Sequence, residues 1–409
     1  MKQLWENLWQ RFHRRDRFLV LELSPREVRV TRLAVDFNRK EIERGETVSA
    51  AIEGGTGYDE VRAHLTRLLR RFRFARPMIL VSLDPRFATT LHAPVVLVRE
   101  KPREAVDEAD LDNRVAQSLS RIFNRGRARA AKKMAVGELD AVLADVAVKR
   151  VKLDGHRVVN PVGFPARTLE FEFIETFVAR PLLEFLRGLF PLRRLRFLAE
   201  RGTMIAALLE YTSGSYEFAL IEILEEETHV IVAEGASLGW TATITWGRLA
   251  FYRAFQDAFG VSSHVAGEMF DLYLVRQGSP GMLRAFEKLL IPVSGDLARA
   301  IGKTIGRLEL KELYITAPFK LPPFLFGTGF RETLPSRMRS IPFEGAALIR
   351  ELGFECRGAG AHENIEAFPA LATLLSFYFL PHDDSMTRIA RRHARWLISE
   401  ERDEKILLK

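Results

Sequence analysis

The stretch YEFALIEILEEETHVIVAEGASLGW, Tyr216 to Trp240, limits the fold more than any other segment. Its two apolar runs are too short to be helices, and only the polar turn Glu225-Glu226-Glu227 parts them, so they pair as antiparallel strands. A third strand follows Glu234-Gly235. The same logic applies near the start of the chain. Phe18–Leu23 reads as a buried strand, Val28–Val35 alternates as a second, Tyr58–Phe74 has helical spacing, and Met78–Leu83 is again a buried strand. This order, two strands, a helix and a further strand, is that of an α/β domain.

Between these regions lies a smaller α+β unit. Leu91–Val98 reads as a strand and Asp110–Phe123 as an amphipathic helix with Leu111, Val115, Leu119, Ile122 and Phe123 on one face. A basic segment, Asn124–Lys133, follows, and then the alternating strands Ala141–Leu153 and Thr168–Val178. Helices dominate from Leu249 to Leu308, ahead of a strand at Glu312–Thr316. At 409 residues the chain is too long for one core. The expected organisation is an N-terminal helix (1–17), a first subdomain (18–85 and 179–212) interrupted by the insert (86–178), a second body (213–380) and a C-terminal basic helix with a charged tail (381–409).

Charge and cysteine content narrow the setting. With 61 Lys and Arg against 53 Asp and Glu, the net charge is +8, which points to an acidic partner such as an anionic membrane surface. No aromatic-interleaved basic repeat, zinc knuckle or RNP-like motif supports nucleic acid. The single cysteine, Cys356, excludes an internal disulfide and fits a reducing cytoplasm. Nine scattered histidines give no metal-ligand spacing, and His382-Asp383-Asp384 reads as a solvated turn. No apolar run approaches the roughly 18 residues of a membrane span. The expectation is a cytoplasmic protein that meets a membrane only at its surface. Gly302-Lys303-Thr304 mimics the end of a phosphate loop, but the glycine that motif requires falls at Leu297, within a helical pattern.

The residues LDGHRVVNPVGFPARTLEFEF, Leu153 to Phe173, resemble the Leu-Asp-Gly … Asn-Pro-x-Gly … Leu-Glu stretch of the bacterial cell-division protein family FtsA. The resemblance runs from about Phe18 to Tyr378. It implies an α/β actin-like fold, a duplicated ribonuclease-H-like architecture with a small α+β insert of the SHS2 or 1C type. In that family glycine-rich turns hold a nucleotide, and here each has changed. At the first phosphate loop the matching residues are Glu22-Leu23-Ser24-Pro25-Arg26, where proline removes an N–H donor. The second reads Glu222-Ile223-Leu224-Glu225-Glu226-Glu227-Thr228-His229. A carboxylate about 4 Å from a phosphate costs roughly 4 kcal/mol per charge pair at an effective dielectric near 20. The adenosine loop becomes ITAPFKLPPF, Ile315 to Phe324, with Ala317 ahead of three prolines and no glycine. Ala266-Gly267-Glu268-Met269 lacks the family's lysine, and Gly247 is the main survivor. Glu22, Ser24, Glu222, Glu225, Glu226, Thr228, Gly247 and Ala317 are thus vestigial loop positions. The expectation is a pseudo-ATPase without a cofactor; the alternative is a diverged ATPase that still takes ATP and Mg2+.

Both ends carry amphipathic patterns. Met1, Leu4, Trp5, Leu8, Trp9 and Phe12 share one helical face beside Arg14, Arg15 and Arg17. Near the C-terminus Met386, Ile389, Ala390, His393, Trp396 and Leu397 oppose Arg388, Arg391, Arg392 and Arg395. Either face suits an anionic bilayer or the protein's own core. FtsA also ends in a membrane-targeting helix, so the resemblance implies membrane contact through Leu4, Trp5, Leu8, Trp9, Phe12, Ile389, Arg392, Arg395, Trp396 and Leu397, and peripheral attachment to the inner membrane. The implied role is an adaptor in the divisome that tethers an FtsZ-like filament or another division partner and self-associates. A PilM-like platform for a type IV pilus or secretion system shares the fold and the insert, and it is the alternative.

Overall fold

In the computed structural model, residues 16–52, 58–72, 77–190, 194–214, 217–234, 237–306, 308–334, 338–343, 345–357, 368–379 and 384–395 are described. They form two bodies, 1–212 with 346–409, and 213–345. The N-terminal helix expected at Leu4, Trp5, Leu8, Trp9 and Phe12 lies outside the described residues.

The first body is built on β1 (Asp16–Leu23), β2 (Glu27–Asp36), β3 (Glu41–Ala51), β4 (Met78–Leu83) and β9 (Leu195–Glu200), ordered β3-β2-β1-β4-β9. Strands β1 and β2 are antiparallel, and β4 runs parallel to β1. The second body repeats this plan with β10 (Glu217–Ile223), β11 (Thr228–Glu234), β12 (Ser237–Ile244), β13 (Glu312–Thr316) and β14 (Arg339–Pro342), ordered β12-β11-β10-β13-β14. Again the first pair is antiparallel and β13 runs parallel to β10. One topology therefore occurs twice, as the ribonuclease-H-like duplication requires. A parallel pair needs a crossover between its strands, and α1 (Tyr58–Leu69) with Val61, Leu65 and Leu68 buried provides it before β4.

Residues from 346 to 379 depart from the sequence expectation, which placed them in the second body. Strand β15 (Glu355–Arg357) pairs with β3, and the helix at Phe368–Phe379 packs on β1 and β4. Its apolar sequence specifies burial but not which of two similar sheets it covers.

The insert is an antiparallel sheet, β5-β8-β6-β7, comprising β5 (Ala88–Val98), β6 (Ala141–Leu153), β7 (His156–Val158) and β8 (Thr168–Ala179). Helix α2, Glu108–Met134, covers one face. Asp107 caps its first turn through Asp110 N–H. The basic segment Asn124–Lys133, read from sequence as following the helix, is its second half. Gly126 allows close packing: a Cβ there would lie 2.6 Å from Glu175 Oε2 and 3.2 Å from the Phe177 ring. The Leu-Asp-Gly and Asn-Pro-Val-Gly residues build the loops of this insert. Asp154, at φ 48°, accepts N–H bonds from Arg167 (3.0 Å) and Thr168 (2.7 Å), which hold its carboxyl below the usual range. Asn160 Oδ1 accepts the Val162 N–H at 3.1 Å, and Gly163, at φ 91°, donates to Val106.

The C-terminal residues 385–395 are helical, and their apolar face is not free. Met386, Ala390 and Ala394 are buried in the core of the insert, and Ile389 packs against it. The register of β6 against β8 shifts twice, at Leu143/Asp145 and Val148/Arg150, so Ala144 and Lys149 are the extra residues. The Val148 N–H donates to Thr387 Oγ1 at 3.1 Å, and Arg391 grips Asp145 through two bonds of 2.8 and 2.9 Å. Arg392 and His393 both reach Asp112 on α2. Of the residues expected at a bilayer, Ile389 packs on the insert, whereas Arg392, paired with Asp112, and Arg395 both remain exposed. Trp396 and Leu397 lie outside the described residues.

Glu175 sets a pH dependence of stability. It is 1% exposed, neither carboxylate oxygen has a hydrogen-bond partner, and burial pushes its pKa up to about 8. An acid with a raised folded-state pKa contributes stability that is complete below its unfolded pKa and lost as pH rises through the folded value. Wild-type protein should lose on the order of 4 kcal/mol between about pH 5 and pH 9 from this group. Glu175→Gln should flatten that slope in urea unfolding; an unchanged slope would show that Glu175 ionises freely in the native state.

Candidate functional site

At the first vestigial loop the turn satisfies itself. Ser24 donates its N–H to Glu27 O at 3.0 Å, and its hydroxyl bonds Glu27 O and receives the Glu27 N–H, each at 3.0 Å. Glu22 is half-buried, and its Oε2 has no hydrogen-bond partner. Burial pushes its pKa up to about 7, while Arg29, Arg201 and Arg44 pull the other way. Glu27 takes both of its short bonds from Arg29, at 2.9 and 3.1 Å.

The second loop, in the other body, is closed in a different way. Helix α5, Arg248–Phe259, begins directly beneath the β10–β11 turn, with Gly247 as its N-cap. A helix N-terminus offers unsatisfied N–H groups to an anion. Here Arg248 N–H donates to Leu224 O and Leu249 N–H to Glu225 O, each at 2.9 Å. These two N–H groups are thus satisfied by the turn's own carbonyls. Thr228 Oγ1 bonds Trp246 O at 2.6 Å, and His229 bonds Glu227 at 3.0 Å. Glu222 is buried, Glu225 is half-buried and Glu226 is exposed. Arg248 pairs with Asp271 at 2.9 Å and lies over the rings of Tyr252 and Phe319. Where the glycine-rich adenosine loop is expected, Ala317 packs on the core, and Phe324 meets Phe251 and Tyr273 at 6.1 and 6.2 Å between ring centroids.

A different concavity opens in the first body. A cleft of about 360 Å³ has Leu183, Phe197 and Phe377 in its lining and four arginines around it, Arg187, Arg196, Arg391 and Arg395. Arg391 is tied to Asp145, while Arg196 and Arg395 are exposed. These residues come from α3 (Arg180–Leu189), β9 and the C-terminal helix, with β6 adding Asp145. Phe377 belongs to the helix at Phe368–Phe379, so five separate segments line the cleft and no linear motif marks it.

A smaller recess of about 40 Å³ shares Asp145, Phe197 and Leu198 with the cleft and is also lined by Thr90, His92, Thr176 and Thr203. Burial holds His92 below its ordinary pKa, so the ring is neutral, and Nδ1 faces Glu172 Oε1 at 3.2 Å. Burial pushes Glu172 up, but the bond from His92 and the Lys149 ammonium outweigh it and hold the carboxyl below its usual range. An ionised Glu172 requires Nδ1 to carry the proton, which leaves Nε2 as an acceptor, buried and without a hydrogen-bond partner. Lys149 and Arg150 continue the network to Glu210 on α4 (Arg201–Ser213). Cleft and recess together can take a segment that presents carboxylates to the arginines, apolar side chains to the floor and a hydrogen-bond donor to His92.

No family model and no curated protein matches the chain. Solved structures do. A chain of the PilM-PilN type IV pilus biogenesis complex aligns over 93% of this protein and 99% of its own length, with a TM-score of 0.53 and 15% identity. The fold is actin-like. Looser likenesses include the ethanolamine utilization protein EutJ from Carboxydothermus hydrogenoformans (TM-score 0.38, 10% identity, 90% of this chain and 91% of that one). Another is a Bacteroides thetaiotaomicron protein with an actin-like ATPase fold and unknown function (TM-score 0.39, 8% identity, 80% and 91%). Among the described residues of this actin-like protein, no helix is long and apolar enough to cross a membrane.

Gly247 gives a direct check on the closed turn. A Cβ at this position would lie 2.6 Å from Glu225 O, so backbone would have to move. Gly247→Ala should destabilise the protein by about 1–3 kcal/mol in urea unfolding. An unchanged midpoint would mean that the turn and the helix are not in contact in solution.

Proposed function

We propose that this chain is an actin-fold platform that binds no nucleotide and docks a segment of a membrane-embedded partner protein, as part of an assembly of the pilus-biogenesis or secretion kind. The observation that carries this reading is the arginine cleft, in which four guanidinium groups surround an apolar floor beside a buried hydrogen-bond acceptor. That combination suits an acidic, partly apolar peptide better than a small metabolite. Arginine favours carboxylates bidentately, and the floor accepts side chains. The likeness in fold to the PilM-PilN chain supports the pilus setting.

An FtsA-like adaptor that joins a filament to the inner membrane is the second reading. Its support is the Leu-Asp-Gly and Asn-Pro-Val-Gly stretch. Those residues shape loops of the insert through Asp154, Asn160 and Gly163, so they favour a shared insert more than a shared role in division. The C-terminal helix also spends its apolar face on the insert. The pilus-type platform is the better supported of the two.

A photo-crosslinking residue placed at Arg196 in the source cells should yield an adduct with a membrane protein whose cytoplasmic segment is acidic. Charge reversal by Arg196→Glu with Arg395→Glu should abolish co-purification of that partner while thermal stability is kept, because both side chains are exposed. Adducts only with a cytoskeletal filament would favour the adaptor, and unimpaired partner capture by the double variant would rule out the cleft.

A further inference from the structure

The second half of α2 carries an exposed cationic face. From Asn113 to Gly137 the chain has seven Lys and Arg and no Asp or Glu. Three of the seven are turned to internal partners: Arg114 pairs with Asp110 at 2.9 Å, Lys133 with the buried Glu200 at 3.5 Å, and Arg127 lies over the Phe123 ring. The other four, Arg121, Arg125, Arg129 and Lys132, are exposed. At about 100° per residue they fall within roughly 80° of one another and span about 16 Å of helix. Arg121, Arg125 and Lys132 make no ion pair among the described residues. Just beyond the helix, Leu139 is 54% exposed, and its carbonyl is held by the Arg180 guanidinium.

We infer that this face of the insert lies on anionic phospholipid headgroups. A straight row of guanidinium groups matches lipid phosphates, which arginine can grip with two N–H groups. An exposed leucine next to such a row is what an interfacial surface uses for shallow insertion. Nucleic acid fits less well: the residues between the cations on this face are Gln117, Ser120, Asn124 and Ala128, which offer no aromatic ring for stacking. The membrane contact that the sequence suggested for the C-terminal helix is thereby reassigned to α2. Lipid binding by this face does not depend on what fills the cleft, so Arg196→Glu with Arg395→Glu should leave it intact even if the platform reading fails.

The full-length protein should co-sediment with vesicles of phosphatidylcholine containing about a third phosphatidylglycerol, and not with phosphatidylcholine alone. Binding should weaken steeply with salt, because exposed charges are screened. Each cation removed should lower partitioning roughly fivefold, so Arg121→Gln with Arg125→Gln should lose about 25-fold. Glutamine keeps high helix propensity, so the variant should retain wild-type circular dichroism. Independently, Leu139→Trp should add an emission component that shifts to the blue when anionic vesicles are present. Equal sedimentation of wild type and the double variant, an unshifted Leu139→Trp emission, or binding to a DNA duplex in place of vesicles would each overturn the assignment.

Discussion

The seat of the C-terminal helix on the outer edge of β6 holds the candidate site together. Strand β7 covers only Val151–Leu153 of β6, and along the uncovered stretch before it the helix meets the Val148 N–H through Thr387 and the Asp145 carboxylate through Arg391. That contact seats Met386, Ala390 and Ala394 in the insert and sets Arg391 and Arg395 opposite Arg187 and Arg196. Without it, the arginines of the cleft would belong to unconnected segments. The bidentate pair is half-exposed, so its contribution is modest by itself. The buried apolar face supplies most of the attachment, and the pair fixes its register.

The buried polar groups behind the cleft form a second tier. Glu172 and Glu210 each accept from Lys149 and face Arg150, and Lys133 on α2 reaches Glu200 at the start of α4. These pairs tie the insert to the rest of the first body. Breaking one partner of such a buried pair is costly because it strands the other charge. They therefore specify the seat of the insert more than they add stability. Glu175 and Glu22 differ from these pairs: each has a carboxylate oxygen without a hydrogen-bond partner, and burial raises both pKa values.

Much of the frame could be read from sequence because it rests on local signals. The strands at Phe18–Leu23, Val28–Val35, Met78–Leu83 and Glu312–Thr316 follow from period and composition, and the repeated topology follows from their order. Where several segments had to be brought together, sequence gave less. The run at Asn124–Lys133 reads in sequence as a basic segment following the helix, yet it is the helix's second half, where Gly126 lies close against Phe177 and Glu175. The amphipathic pattern at 385–395 could not distinguish a bilayer from an insert as its partner. The cleft left no linear signature, since its arginines come from α3, β9 and the last helix. The altered phosphate turns were visible as residue types, but the way Leu224 and Glu225 carbonyls occupy the N–H groups of α5 was not.

Under the function proposed above, the actin-like frame holds no nucleotide and its loop regions are packed by the protein's own groups. The Arg248 and Leu249 N–H groups at the head of α5 are engaged, the Ser24 turn is closed on itself, and Phe324 packs against Phe251. Titration calorimetry of the purified protein with Mg2+ and ATP tests this most directly. The account predicts no saturable heat below millimolar nucleotide and no hydrolysis above background. Micromolar binding, weakened by Gly247→Ala, would contradict it.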